Sequence, residues 1–202
     1  MTDTRLLPEP AQELLDDFLT ASPGWPDDDT TVEPEALRDQ YRGSLLWGAV
    51  GDALGRPTEG RTWERIREKW GPDGVTDLHW WRGWKSGPIG TWTDDTQLTI
   101  EVAETILESG GHVDPERFSE RLCDWLPHGR GKGRATTAAV KALQAGAPWW
   151  EAGAEVDSAG NGAAMRAAPV GLAWALVPDA GPLVREAVLS ALPTHAHPVG
   201  VA

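Results

Sequence analysis

The sequence predicts an all-α protein, a compact bundle of helices joined by long functional loops. Three observations lead there. Apolar residues recur at helical spacing in most segments after residue 34. Proline, aspartate and glycine sit where helices start and stop. No stretch shows the alternation or turn pairs of a β-hairpin, and no internal repeat is visible.

The elements follow in order. "AQELLDDFL" (11–19) has a short helical pattern, and "TASPGWPDDDTTVEPE" (20–35) reads as a linker or surface arm. The body begins near Pro34, a helix-opening proline, and "EALRDQYRGSLLWGAVGDALG" is one long helix stopped by Gly55 and Pro57. Leu37, Tyr41, Leu45, Gly48 and Asp52 form its stripe, and Gly43, Gly48 and Gly51 leave room for a second helix to approach. "RTWERIREKWG" (61–71) is a short charged helix, and residues 71–92 are loop. "DDTQLTIEVAETILESGG" (94–111) is amphipathic, with Leu98, Val102 and Ile106 inward and a glycine pair at its end. "DPERFSERLCDWL" (114–126) and "TTAAVKALQAG" (136–146) are further helices. "NGAAMRAAPVGLAWALV" (161–177) is apolar nearly all round and reads as a central buried helix bent at Pro169. "DAGPLVREAVLSAL" (179–192) is one more.

Composition narrows the function. Apolar residues are 40 % of the 202, enough for a sizeable core, and no apolar run reaches membrane-spanning length. The first residues lack a basic stretch followed by an apolar one, and the single cysteine, Cys123, forms neither an internal disulfide nor a multi-cysteine zinc site. Both features lead us to expect a cytoplasmic protein. The net charge is −13, of which residues 1–40 carry −9. An acidic surface repels phosphate backbones, so general nucleic-acid binding is not expected, and neither is a membrane partner. The twelve tryptophans serve a core or line a groove.

Four segments can carry chemistry. In "GTWTDDTQL" (90–98), Asp94 and Gln97 fit the two ends of a capping box, while Thr93, Asp94 and Asp95 also make a hard-oxygen donor set for a cation such as Mg²⁺. "WGAVGDALGRPTEG" (47–60) turns at Pro57 and presents Glu59 on a loop; Asp52, inside the helix, suits a bond to a neighbouring group better than to a ligand. "DSAGNGAAMRAAPVGL" (157–172) places Gly160, Asn161 and Gly162 at a helix entry, a turn or a phosphate cradle. "HGRGKGRATT" (128–137) is a similar glycine-rich entry, but Gly133 follows Lys132, so it is no P-loop. His195 and His197, two apart, do not share a helix face and do not by themselves make a zinc pair.

In their order, "GAVGDALGRPTE", "GTWTDDTQL", "GRGKGRATTAAVKAL", "SAGNGAAMRAAPVGL" and "THAHP" resemble the ADP-ribosylglycohydrolase family of the dinitrogenase-reductase-activating-glycohydrolase type. The resemblance runs from about Asp39 to the end. It divides the chain into an acidic arm (1–33) and a family domain (34–202). It implies an orthogonal all-α bundle with two Mg²⁺ ions, or Mn²⁺, that releases ADP-ribose from a modified protein or small molecule. Thr93, Asp94 and Asp95 match the first metal-binding triplet. Glu59 matches the acid of a loop beside the metals; the resemblance adds it to Thr93, Asp94 and Asp95 as a metal ligand, and with Asp94 and Asp95 it makes up the catalytic set. Gly160, Asn161 and Gly162 match the segment against ADP-ribose, Gly131 and Gly133 a loop near the diphosphate, and His195 the "TH" element of the site. The family's second acidic triplet, Gly-Asp-x-Asp-Thr, has no counterpart before Ala202. The expectation is a domain lacking its C-terminal part, completed by a missing segment or a second chain, or else a form that binds ADP-ribose without hydrolysing it. Such a domain would expose part of its core.

Overall fold

The computed structural model describes Glu9 and residues 33–80, 88–153, 159–177 and 179–201. The helical pattern at 11–19 and nearly all of the acidic arm lie outside them. Among the described residues the architecture is all-α, with no strand.

Helix α1 spans Pro34–Gly55, opened by the proline after Glu33 and followed by a 3₁₀ turn at Arg56–Thr58. Helix α2 is Trp63–Trp70, capped by the Thr62 hydroxyl. Helix α3 is Asp94–Glu108, and it buries Leu98, Val102, Thr105 and Ile106. Helix α4, Pro115–Trp125, starts at Asp114, whose carboxylate accepts from the Glu116 and Arg117 N–H groups. Helix α5 is Arg134–Gln144 and α6 the single turn Trp149–Ala152. A 3₁₀ turn at Ala164–Arg166 precedes α7, Ala168–Trp174. Helix α8 is Ala180–Ala191, with Asp179 as its cap, and α9 is Pro198–Val201.

Helix α3 is the hub. It packs against α1, α4, α7 and the 3₁₀ turn before α7, while α8 closes over α7 and α4. The core joins Leu98, Val102 and Ile106 of α3 to Phe118, Leu122 and Trp125 of α4, Val140 of α5, Val170 of α7 and Leu189 of α8. Burial of this apolar surface is the main stabilising contribution, about 1.5–3 kcal/mol for each large side chain. On the outer side of α4, Arg121 binds Glu101, Glu104 and Glu108 of α3, at 2.8, 2.6 and 2.6 Å.

Three expectations are corrected. Residues 161–177 are not one bent helix: the chain makes a 3₁₀ turn, passes Ala167 and starts again at Ala168. Pro169 lacks an N–H, so it serves the first turn of a new helix, where none is needed, rather than the interior of an old one. Nor is the segment buried all round, since Leu176 and Val177 face solvent. The capping box at Asp94 and Gln97 does not form, because the cap of α3 is Thr93 and the Gln97 amide oxygen accepts from the Arg130 N–H (2.8 Å). Finally, no described atom would lie within 4 Å of a methyl group on Gly43, Gly48 or Gly51. Among the described residues nothing covers that side of α1, and Leu46 and Trp47 on the same helix are 67 % and 73 % exposed.

Candidate functional site

The N-terminus of α3 is built by a residue 41 positions earlier. The Asp52 carboxylate, on the last turns of α1, accepts from the Thr93 N–H (2.8 Å), the Thr96 N–H (3.1 Å) and the hydroxyls of Thr93 (2.7 Å) and Thr96 (2.6 Å). Thr93 and Thr96 hold the cap and third positions of α3, whose N–H groups a capping box would satisfy locally. One remote carboxylate does both jobs. With three donors on Oδ2 and the Thr93 hydroxyl against Oδ1, Asp52 has little capacity left for a ligand, in keeping with the part its sequence position implies.

This frees Asp94 and Asp95 to face outward from the helix tip into a cleft of about 690 Å³, inside the ~300–1,000 Å³ range of small-molecule sites. Glu59, Thr93, Asp94, Asp95, Gly131, Gly133, Gly160, Asn161, Gly162 and His195 all line it. The fold therefore gathers these ten residues around one cavity, while His197 lies outside it. Glu59 sits at the rim, largely exposed, and pairs with Arg56 one turn earlier.

The acidic tip has the electrostatics of a cation site. Burial pushes the Asp94 carboxyl up to about 6; the Asp95 and Asp52 charges act in the same direction, and N–H groups of its own backbone and of Gly133 act against it. The Thr93 hydroxyl has one proton and two carboxylate oxygens within reach, Asp52 Oδ1 at 2.7 Å and Asp95 Oδ2 at 2.8 Å. Whichever receives the proton, the other contact sets oxygen against oxygen unless a positive charge intervenes. An all-oxygen donor set of one hydroxyl and two carboxylates suits Mg²⁺ or Mn²⁺ chemically, as part of a shell otherwise filled by water or further ligands. Among the described residues no group of three or more His, Cys, Asp or Glu side chains is arranged to hold a metal ion.

The adjoining wall is glycine-rich for steric reasons. A methyl group on Gly131, which has φ +62°, would lie 2.9 Å from Asp94 Oδ1. The Gly133 N–H reaches Asp94 Oδ2 at 3.3 Å, and Gly133 starts α5 with no side chain capping its first N–H groups. A methyl group on Gly162 would lie 2.5 Å from His195 Cε1 and 2.9 Å from its Nε2. Sequence reasoning passed over Thr136, a buried hydroxyl in this wall, and Arg166, fully buried behind it. Thr136 stands three residues after Gly133, where a hydroxyl in a helix's first turn is a readable signal; nothing in the sequence marks Arg166 as internal. His195 is 3 % exposed, and burial followed by the Arg166 charge lowers its pKa to about 4. His197 stands apart at the entry to α9, where its ring nitrogen lies 3.2 Å from the Val199 N–H.

Comparison with known proteins identifies the family. A protein of Archaeoglobus fulgidus described as uncharacterized is 39 % identical over 68 % of the chain and 44 % of its own length. The ADP-ribosylarginine hydrolase Tri1 of Serratia proteamaculans is 32 % identical over 69 % of the chain and 38 % of its own length. The ADP-ribosyl-[dinitrogen reductase] glycohydrolase of Rhodospirillum rubrum is 31 % identical over 81 % of the chain and 54 % of its own length. The chain thus spans about half the length of these relatives, or less. The ADP-ribosylglycohydrolase family model matches residues 33–202, and the chain belongs to that family.

Proposed function

We propose that the cleft binds ADP-ribose and that its residues take part in Mg²⁺-dependent hydrolysis of an ADP-ribosyl glycosidic bond. The observation that carries this reading is the convergence of Thr93, Asp94, Asp95 and Glu59 on one cavity that glycine backbone and His195 also line. Two of the curated relatives bear names of ADP-ribosyl hydrolases.

Thr93, Asp94 and Asp95 would hold the cation, which when bound supplies positive charge that orients hydroxyl oxygens and acidifies water. Asp94 and Asp95 also place negative charge beside an anomeric carbon that becomes oxocarbenium-like as its bond breaks. Glu59, on an exposed turn at the rim, takes the proton of the attacking water or gives one to the leaving group. It pairs with the Arg56 guanidinium. The uncapped start of α5, with Arg134, faces the diphosphate. The substrate is an ADP-ribosylated protein or small molecule.

The test is release of ADP-ribose from an ADP-ribosylated protein with Mg²⁺ and with chelator. Chelator, or Asp94→Ala with Asp95→Ala, is expected to abolish release; release unchanged by both would refute the reading. A second reading, ADP-ribose binding without turnover, is favoured by the narrow origin of the donors, since three of the four come from one helix tip. Calorimetric titration of ADP-ribose into protein without hydrolytic activity separates the two.

A further inference from the structure

We propose that Arg166 and Thr194 are positioning residues that hold His195 with its proton on Nε2, so that the imidazole presents a hydrogen-bond donor to the cleft.

The argument is a proton inventory. Arg166 is fully buried on the 3₁₀ turn before α7, and its hydrogen bonds among the described residues all run to the end of α8. Its Nη2 donates to the Ser190 carbonyl at 2.9 Å and to the Thr194 hydroxyl at 2.7 Å. A guanidinium only donates, so Thr194 Oγ1 accepts in that contact. The hydroxyl's single proton then has two acceptors in range, His195 Nδ1 at 2.8 Å and the Ala191 carbonyl at 3.5 Å. An O–H donor bonds well at about 2.5–3.0 Å, so the proton goes to Nδ1. With Nδ1 accepting, the neutral ring carries its hydrogen on Nε2. The reverse tautomer would strand the threonine proton on the 3.5 Å contact.

The ring has little room to turn away. Thr194 is fully buried and His195 nearly so, and the Gly162 backbone lies against Cε1 and Nε2. The Phe118 ring, 4.9 Å from the guanidinium carbon, backs Arg166 from the core side. Neutrality is also secured, because burial and Arg166 both oppose a second ring proton. Nε2–H therefore points where an acceptor oxygen, from a ribose hydroxyl or a phosphate, can meet it. The identity of that oxygen's owner rests on the proposed function; the tautomer does not.

The experiment is proton–nitrogen correlation NMR of the imidazoles in the whole chain, read at neutral pH without ligand, paired with ADP-ribose titration. The wild type is expected to show His195 protonated on Nε2 alone. Thr194→Val removes the hydroxyl at nearly constant volume; it should give a mixed or Nδ1-protonated ring and weaken ADP-ribose binding about tenfold. Thr194→Ser should restore both. Arg166→Lys, whose ammonium ends near the position of the guanidinium carbon and short of Nη2, should shift the ring partway. An Nδ1-protonated wild type, or a Thr194→Val ring unchanged from wild type, overturns the proposal, and an unmoved ring in Arg166→Lys removes Arg166 from it. Should Arg166→Lys fail to fold, the Thr194 pair decides. A changed tautomer with unchanged affinity overturns the donor role. Absence of ADP-ribose binding by the wild type counts against the function alone, since the nitrogen shifts stand without it.

Discussion

Asp52 and Asp95 lie at the same helix tip, yet the structure gives them opposite effects on stability. Replacing Asp52 by alanine strips four hydrogen bonds from the start of α3, two of them from backbone N–H groups. A hydrogen bond to a charged acceptor contributes about 1.5–3 kcal/mol, but water can reach part of this tip and replace some of the loss. Relief of repulsion with Asp94 and Asp95 offsets a little more. The net cost works out at about 4 kcal/mol for Asp52→Ala. Asp52→Asn can keep three donors on its one oxygen and offer its NH₂ to the Thr93 hydroxyl, so it should cost only about 1–2 kcal/mol. Asp95→Asn removes a like charge beside Asp94 and breaks no backbone contact made by its carboxylate; it should leave stability unchanged or raise it by about 0.5 kcal/mol. The assay is urea unfolding in the presence of chelator, with equal m-values required before free energies are compared. A cost under about 1 kcal/mol for Asp52→Ala, or equal costs for Asp52→Ala and Asp95→Ala, would refute the division between a structural and a functional carboxylate.

Three further outcomes are expected. Mg²⁺ should raise the melting temperature of the wild type in a concentration-dependent way and leave Asp94→Asn with Asp95→Asn unmoved; scanning fluorimetry checks both. Gly162→Ala should drive a methyl group into His195, costing about 1–3 kcal/mol and weakening ADP-ribose binding at least about tenfold, whereas Gly171→Ala, in open space on α7, should be neutral or mildly stabilising. His195 has a folded pKa of about 4 against an ordinary 6.5, so the unfolded chain binds its proton first on acidification. Its contribution is full above pH 6.5 and lost as pH falls toward 4, a span worth about 3 kcal/mol. Comparing wild type with His195→Gln across that window isolates it, because Asp94, raised rather than lowered, acts with the opposite sign in both proteins.

Helices α1, α3, α4 and α8 were legible in the sequence because their signals are local: a proline after Glu33, the spacing of Leu98, Val102 and Ile106, and the caps Asp114 and Asp179. The break at Ala167 was not, since an alanine-rich stretch fits a long helix until tertiary packing sets where Pro169 falls. The true cap of α3 was hidden for a related reason. Asp94 and Gln97 advertise a local box one residue out of register with the true cap, and only the folded chain brings Asp52 to the N–H groups of Thr93 and Thr96. The candidate site was legible as separate segments whose order resembled one family. Their meeting in a single cleft depends on α1, α3 and α5 converging, which no spacing along the chain encodes. Arg166 was illegible, because a lone arginine in an apolar run gives no sign that its guanidinium will lie inside.

The long reach from Asp52 to Thr93 also bears on the order of events as the chain folds. A peptide holding only residues 90–110 lacks the Asp52 partner of the Thr93 and Thr96 amides, so its helix should fray at the end that bears Thr93, Asp94 and Asp95. That end becomes ordered only once α1 docks and closes a loop of some forty residues. Amide exchange at Thr93 and Thr96 should accordingly follow the undocking of α1 rather than local breathing of α3.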